Sequence, residues 1–190
     1  TIINNGLTVD ACEYEFKQAK WTDAGNSVSL GSRADMLLSD AEGGKVIFDF
    51  KYSRSKSRRT EVEENRALQL EVYRYMAKQE FGLETNVRVA YVLLPDVTIL
   101  TADEFILPDN QDIIGIKTER KNADVMSEAA NSYRLRWEQL KAGKIERVEG
   151  CKVGVGEYAE QAAERNLFPL SEYKGVYGED KFDKGYKNLK

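Results

Sequence analysis

Lys45-Val46-Ile47-Phe48-Asp49-Phe50-Lys51-Tyr52 is an apolar stretch with an acid and a base two residues apart near its end. It predicts a β-strand. Successive side chains on a strand point to opposite faces, so Val46, Phe48, Phe50 and Tyr52 share one face and Ile47, Asp49 and Lys51 share the other. A charge on such a strand is costly unless it pairs, binds a metal or does chemistry. Taken alone, Asp-x-Lys also fits an exposed ion pair. The segments on either side decide between these readings.

Upstream, Val9 to Phe16 predicts a first strand, Gly25 and Asn26 a turn, and Val28 to Ser39 a second strand. On that second strand Leu30, Ala34, Met36 and Leu38 fall on one face, with Arg33 and Asp35 on the other. Asp40 to Gly44 predicts a hairpin turn, which makes an antiparallel meander of three strands. Downstream, Lys51 to Arg59 holds five basic residues and no acid. Thr60 and Glu63 have the spacing of a capping box, so a helix is expected from Thr60 to about Phe81, stopped by Gly82. Asn86 to Pro95 predicts a buried strand, and the strand–helix–strand path favours parallel pairing. Thr98 to Leu107 adds a further strand or irregular edge, and a second long helix is expected over Ala123 to Ala142, ending at Gly143. Tyr133, Trp137 and Leu140 on that helix read as core, and Arg134 and Arg136 as a solvated face. The expected fold is α/β, a mixed central sheet flanked by helices. Residues 1–150 form the core and 151–190 a C-terminal extension.

Composition narrows the chemistry. With 42% hydrophobic and 32% charged residues, the chain reads as one soluble domain with a good core. No apolar run reaches the roughly 20 residues that span a bilayer, and nothing resembles a signal peptide, so the expectation is a cytoplasmic protein without a membrane partner. Cys12 and Cys151 are too few for a four-Cys site and read as reduced thiols. The chain has no His, which argues against zinc chemistry and His-dependent triads. That leaves carboxylates, Lys, Tyr or a hard metal ion. The net charge of −4 argues weakly against a protein that coats nucleic acid, but it leaves room for a local basic groove.

Asp35 and Asp49 can be brought together by the hairpin between them. Two converging carboxylates beside Lys51 suit Mg²⁺ or Mn²⁺. Asp35 also fits a surface partner of Arg33 or Lys51. Gln69 and Tyr73 are four apart and share a helical face. They suit either active-site support or ordinary packing. Arg54, Lys56, Arg58 and Arg59 fit DNA phosphates or a solvated loop.

Asp35, Asp49-Phe50-Lys51 and Gln69-x-x-x-Tyr73, in this order, resemble the PD-(D/E)XK nucleases of the RecB-like and AddB-like branch, over residues 9 to 95. The resemblance implies a restriction-endonuclease-like αβββαβ core and metal-dependent hydrolysis of DNA phosphodiesters. It implies that the domain belongs to a longer repair or recombination protein, with a helicase domain or subunit as partner and no small-molecule cofactor. Asp35, Asp49 and the Phe50 carbonyl would be metal ligands, Lys51 the catalytic Lys, and Gln69 and Tyr73 support on the helix. Glu15 stands about where many members carry an acid, and equally suits pairing with Lys17. Two departures matter. Ser32 stands where Gly is usual, with Gly31 one residue earlier, and the upstream helix bearing a His is missing. Phe168 to Tyr173 lies where some relatives carry Cys, so no iron–sulfur cluster is expected. The alternative is a catalytically silent nuclease-like domain that binds DNA or a partner subunit. An RNA-directed nuclease would use the same residues, and nothing in the sequence separates exonuclease from endonuclease action.

Overall fold

The structure is a computed structural model describing residues 6–23, 26–53, 55–95, 97–103, 113–115, 123–144, 160–162 and 164–168. The chain divides into two compact units, Thr1–Met126 and Ser127–Lys190.

The first unit is built on β1 (Thr8–Glu15), β4 (Arg33–Ser39), β5 (Lys45–Lys51), β6 (Val87–Leu93), β7 (Thr98–Thr101) and β8 (Ile113–Gly115). They form one six-stranded sheet in the order β1-β4-β5-β6-β7-β8. The first three are antiparallel neighbours, β5 and β6 run parallel, and β6–β7 is antiparallel. The expected meander and parallel crossover are therefore both present. A separate ribbon pairs β2 (Ala19–Asp23) with β3 (Asn26–Leu30).

Alternation along the strands makes a core on each face. Leu37, Ile47, Val89 and Tyr91 pack with Phe16 and with Leu70, Tyr73, Met76 and Ala77 of helix α2 (Leu68–Phe81). Leu38, Val46, Phe48 and Ala90 gather with Leu7 in a second cluster. Gly82, at φ 118°, ends α2 and donates its N–H to Lys78 O at 3.1 Å. The Asp40–Gly44 turn closes as expected: Asp40 Oδ1 accepts from the N–H of Glu42 at 2.9 Å and of Gly44 at 2.7 Å.

Two expectations are corrected. The strand expected over Val28 to Ser39 breaks at Gly31-Ser32 into β3 and β4, and the Ser32 carbonyl accepts from Phe16 N instead. The helix expected from Thr60 to Phe81 is two helices, α1 (Ser55–Glu63) and α2. Asn65 sits between them at φ 50°, a left-handed conformation that Asn tolerates better than most residues. Thr60 is then not a cap: its carbonyl accepts from Glu64 N in the last turn of α1. Two strands were not expected: β2, although Ala19 and Trp21 alternate with Lys20 and Thr22, and β8, whose three residues are too few to show a period.

The second unit contains most of α3 (Ala123–Lys141), close to its expected bounds. Leu135 and Leu167 are buried together against Ala162, and Phe168 N donates to Ser132 Oγ at 2.8 Å. Tyr133 and Trp137 stack with ring centroids 6.4 Å apart. Contrary to expectation, Trp137 and Leu140 are exposed. The buried line runs through Glu128, Leu135 and Gln139, and Trp137 lies two residues, more than half a helical turn, off it.

Candidate active site

The site forms where β4 and β5 part company. Their antiparallel ladder pairs Ser39 with Lys45 and runs to Met36 opposite Phe48. Beyond that pair the Asp35 side chain reaches β5, and its Oδ2 accepts from Phe50 N at 2.6 Å. On its other edge β5 keeps its parallel partner to the end, with Asp49 opposite Tyr91 and Lys51 opposite Leu93.

Asp49 is only 2% exposed, and α2 supplies what a buried carboxylate needs. Tyr73 donates its hydroxyl to Asp49 Oδ1 at 3.0 Å, and Gln69 Nε2 donates to the same oxygen at 3.0 Å. Gln69 Nε2 also donates to the Tyr73 hydroxyl, and Gln69 Oε1 accepts from Lys51 Nζ, both at 3.0 Å. The amide thus turns its donor end to the acid and its acceptor end to the ammonium, which a Glu at 69 would not do. The Tyr73 hydroxyl lies 3.1 Å from the Arg33 carbonyl as well, a second acceptor for its single proton. Burial, and then the Asp49 charge, push the Tyr73 phenol up to about 12.

The other Asp49 oxygen is different. Oδ2 lies 2.6 Å from Lys51 Nζ, but the contact lacks hydrogen-bond geometry, and this buried atom has no other partner among the described residues. A buried acceptor left in that condition marks a place for a further ligand. Lys51 Nζ also sits 5.7 Å from the centre of the Tyr91 ring.

Asp35, Asp49, Lys51, Gln69, Tyr73 and the Phe50 backbone are therefore brought together. Glu15 is not: it is exposed, opposite Arg33 at the end of β1. No group of three or more His, Cys, Asp and Glu side chains suited to a metal ion occurs among the described residues. The basic run differs from the expected loop, because from Ser55 onward it is helical. Arg54 lies outside the described residues, and of Lys56 only its place in α1 is described. Arg58 Nη1 is 2.5 Å from Glu61 Oε2, and its guanidinium lies over the Tyr91 ring at 5.4 Å. Arg59 pairs with Glu63 at 2.8 Å.

Two neighbours of the site escaped sequence reasoning. The fully buried Tyr91 donates to Glu61 Oε1 at 3.1 Å, and burial and then the Glu61 charge raise its phenol. Together Tyr91, Glu61 and Arg58 tie α1 to the strand beside Asp49. Tyr91 looked like core because its strand is apolar apart from Arg88, and only the parallel register places it opposite Asp49.

A search of curated proteins finds no match. A family model, that of the PD-(D/E)XK nuclease superfamily, matches residues 4–154. Since that match takes in the whole sheet from β1 to β8 together with the helix that closes over Asp49, the chain belongs to the PD-(D/E)XK nuclease superfamily.

Proposed function

We propose that this chain is a Mg²⁺- or Mn²⁺-dependent deoxyribonuclease that hydrolyses phosphodiester bonds as the nuclease domain of a longer repair or recombination protein of the helicase–nuclease type. The observation that carries the reading is the buried, incompletely bonded Oδ2 of Asp49, set beside a second acid and a Lys. The donors available are all oxygens, from Asp35, Asp49 and the Phe50 carbonyl, and oxygen-only sets suit hard divalent cations. When bound there, such an ion polarises a phosphoryl oxygen and lowers the pKa of water.

The remaining roles fall to the chain itself. Tyr73 and Gln69 fix the Asp49 carboxylate by holding one oxygen, which leaves the other facing Lys51. Asp35 is fixed through Phe50 N. Gln69 Oε1 steadies the Lys51 ammonium, which orients the attacking water and offsets the charge that builds on phosphorus in the transition state. Arg59 and the other basic residues of the 51–59 segment give the backbone phosphates a modest grip.

The test has two parts. Wild-type protein with Mg²⁺ or Mn²⁺ is expected to cut single- or double-stranded DNA. Its melting temperature is expected to rise with the ion, an effect absent from Asp49→Ala. Failure of both measurements sinks the proposal. A silent nuclease-like domain is the second reading. It is favoured by the lack of a third acidic side chain near Asp35 and Asp49 among the described residues, and it predicts DNA binding with no response to either ion.

A further inference from the structure

We infer that the Glu61 carboxylate is an internal stand-in for substrate phosphate: it holds Arg58 in the free protein and yields it to a phosphate of the bound strand. The inference rests on the nuclease reading above and adds a regulating contact to the same site.

Contacts place Arg58 at the site. Tyr91 lies opposite Asp49 in the parallel β5–β6 register, and two cations share its ring. Lys51 Nζ is 5.7 Å from the ring centre and the Arg58 guanidinium 5.4 Å. The two charges flank a single side chain, so a strand whose phosphate reaches Lys51 brings that phosphate or its neighbour to Arg58. In the free protein Glu61 is already there, with Oε2 2.5 Å from Arg58 Nη1. Its other oxygen accepts the Tyr91 hydroxyl at 3.1 Å. Release of Arg58 therefore leaves Glu61 hydrogen-bonded, whereas a carboxylate stripped of every partner would resist the exchange. The Arg58 and Glu61 side chains are 28% and 26% exposed, so an anion can reach the pair from solvent.

The charge order of α1 favours the exchange. Ser55-Lys56-Ser57-Arg58-Arg59-Thr60-Glu61-Val62-Glu63 puts every cation before every acid, with no acid in the first turn and no base in the last. The helix dipole favours the opposite order. The Arg58–Glu61 and Arg59–Glu63 pairs both run base before acid, which is the weaker direction on a helix. A helix selected for stability alone would reverse them. In the order found, the cations stand toward the end of α1 whose field attracts anions, and Glu61 covers the one that reaches the Tyr91 ring. Phosphate presents to a guanidinium the same paired oxygens that a carboxylate does, so it can take the place of Glu61 without moving Arg58 off the ring.

The experiment uses the whole chain and a fluorescent DNA oligomer with a duplex part and a single-stranded tail. Anisotropy is read over a range of salt with divalent ions chelated, so that binding is measured without cleavage. Glu61→Gln keeps an acceptor for Tyr91 and removes the charge, and it is expected to tighten binding roughly fivefold, the difference between a charged and a neutral partner for Arg58. In an Arg58→Ala background the same change should do nothing. Arg58→Ala itself should weaken binding and make the slope of log K against log salt shallower by about 0.9, one phosphate contact fewer. Glu42→Gln, which removes an exposed charge from the Asp40–Gly44 turn at the other end of β5, should leave affinity within about twofold. The inference is overturned if Glu61→Gln binds no tighter than wild type, if its gain survives in Arg58→Ala, or if Glu42→Gln gains as much. Melting curves check folding. Should Glu61→Gln be unfolded at the assay temperature, the salt slope of Arg58→Ala decides, and an unchanged slope overturns the exchange. Cleavage assays on wild type separate the two claims. Cleavage with a flat Glu61 series removes the exchange alone, while the expected series without cleavage removes the nuclease reading alone.

Discussion

Tyr73→Phe deletes one oxygen atom from the wall of the site and leaves the ring in place. The hydroxyl is buried and donates to a buried carboxylate oxygen at 3.0 Å. A hydrogen bond to a charged partner in such a setting contributes about 1.5–3 kcal/mol. Asp49 Oδ1 would keep only its bond from Gln69 Nε2, and Gln69 would lose the hydroxyl it also donates to. For a chain of this size the expected fall in melting temperature is roughly 3–12 °C. Urea unfolding should show a lower midpoint with an unchanged slope, because no surface is added to the unfolding reaction. Tyr75→Phe is the control: its hydroxyl makes a long, exposed contact to the Lys20 carbonyl at 3.4 Å, so its loss should stay within about 0.5 kcal/mol. A double-mutant cycle isolates the charge. In an Asp49→Asn background the same deletion should cost only about 0.5–1.5 kcal/mol, the range for neutral partners. Equal stability of Tyr73→Phe and wild type would refute the reasoning. An undiminished loss in the Asp49→Asn background would also refute it, since the hydroxyl would then be acting on something other than the Asp49 charge.

Lys51→Met, which keeps most of the length and loses the charge, should lower kcat on DNA about 10²- to 10³-fold, the usual scale for one transition-state donor; near-normal turnover would remove Lys51 from the chemistry. Arg58→Ala should cost about 1.5–3 kcal/mol through its charged hydrogen bond to Glu61, whereas Arg59→Ala, losing an exposed i,i+4 pair, should cost about 0.3–0.5 kcal/mol. Reversal of that order by urea denaturation would mean that Arg58 does not clamp α1. Glu71 is buried between α2 and β6, and burial raises its pKa against the opposing pull of Arg74. A carboxyl raised above its unfolded value stabilises most below the unfolded Glu range near 4, and that contribution is lost as pH rises through the folded value. The stability of wild type relative to Glu71→Gln should therefore decline as the pH is raised from about 4 toward neutral. A rise over that interval would show the Arg74 ion pair outweighing burial.

The face of β5 that carries Ile47, Asp49 and Lys51 was legible because period-2 alternation needs no tertiary information. Gln69 and Tyr73 were legible for the same reason at helical spacing. What the sequence hid depends on where the chain turns. Asn65 breaks the long helix without interrupting its apolar pattern, since Val62 and Leu70 are both buried on either side of it. The basic run was likewise misread as a loop, because Ser55 to Arg59 has no apolar period to announce a helix. Tyr91, Glu61 and Arg58 are brought together by the β5–β6 register and the placement of α1, neither of which leaves a local mark. On α3, Trp137 and Leu140 were assigned to core by residue type, and the buried positions went instead to Glu128, Leu135 and Gln139.

The opening between β4 and β5 explains why acids are found at this point of the sheet. A continuous ladder past Phe48 would have joined the two backbones and left no acceptor to place. Instead, Asp35 Oδ2 takes the N–H of Phe50, and β5 remains anchored on its β6 side as far as Lys51. One edge of β5 is thus fully held while the other is held through a carboxylate. A strand in that condition presents Asp49 and Lys51 on one face at fixed positions, with an acid in its own plane. The arrangement also constrains substitution. Removing the Asp35 carboxylate deletes a candidate ligand and the acceptor that replaces the ladder, so Asp35→Ala confounds chemistry with strand anchoring. Asp35→Asn keeps an acceptor for Phe50 N and is the variant that separates them.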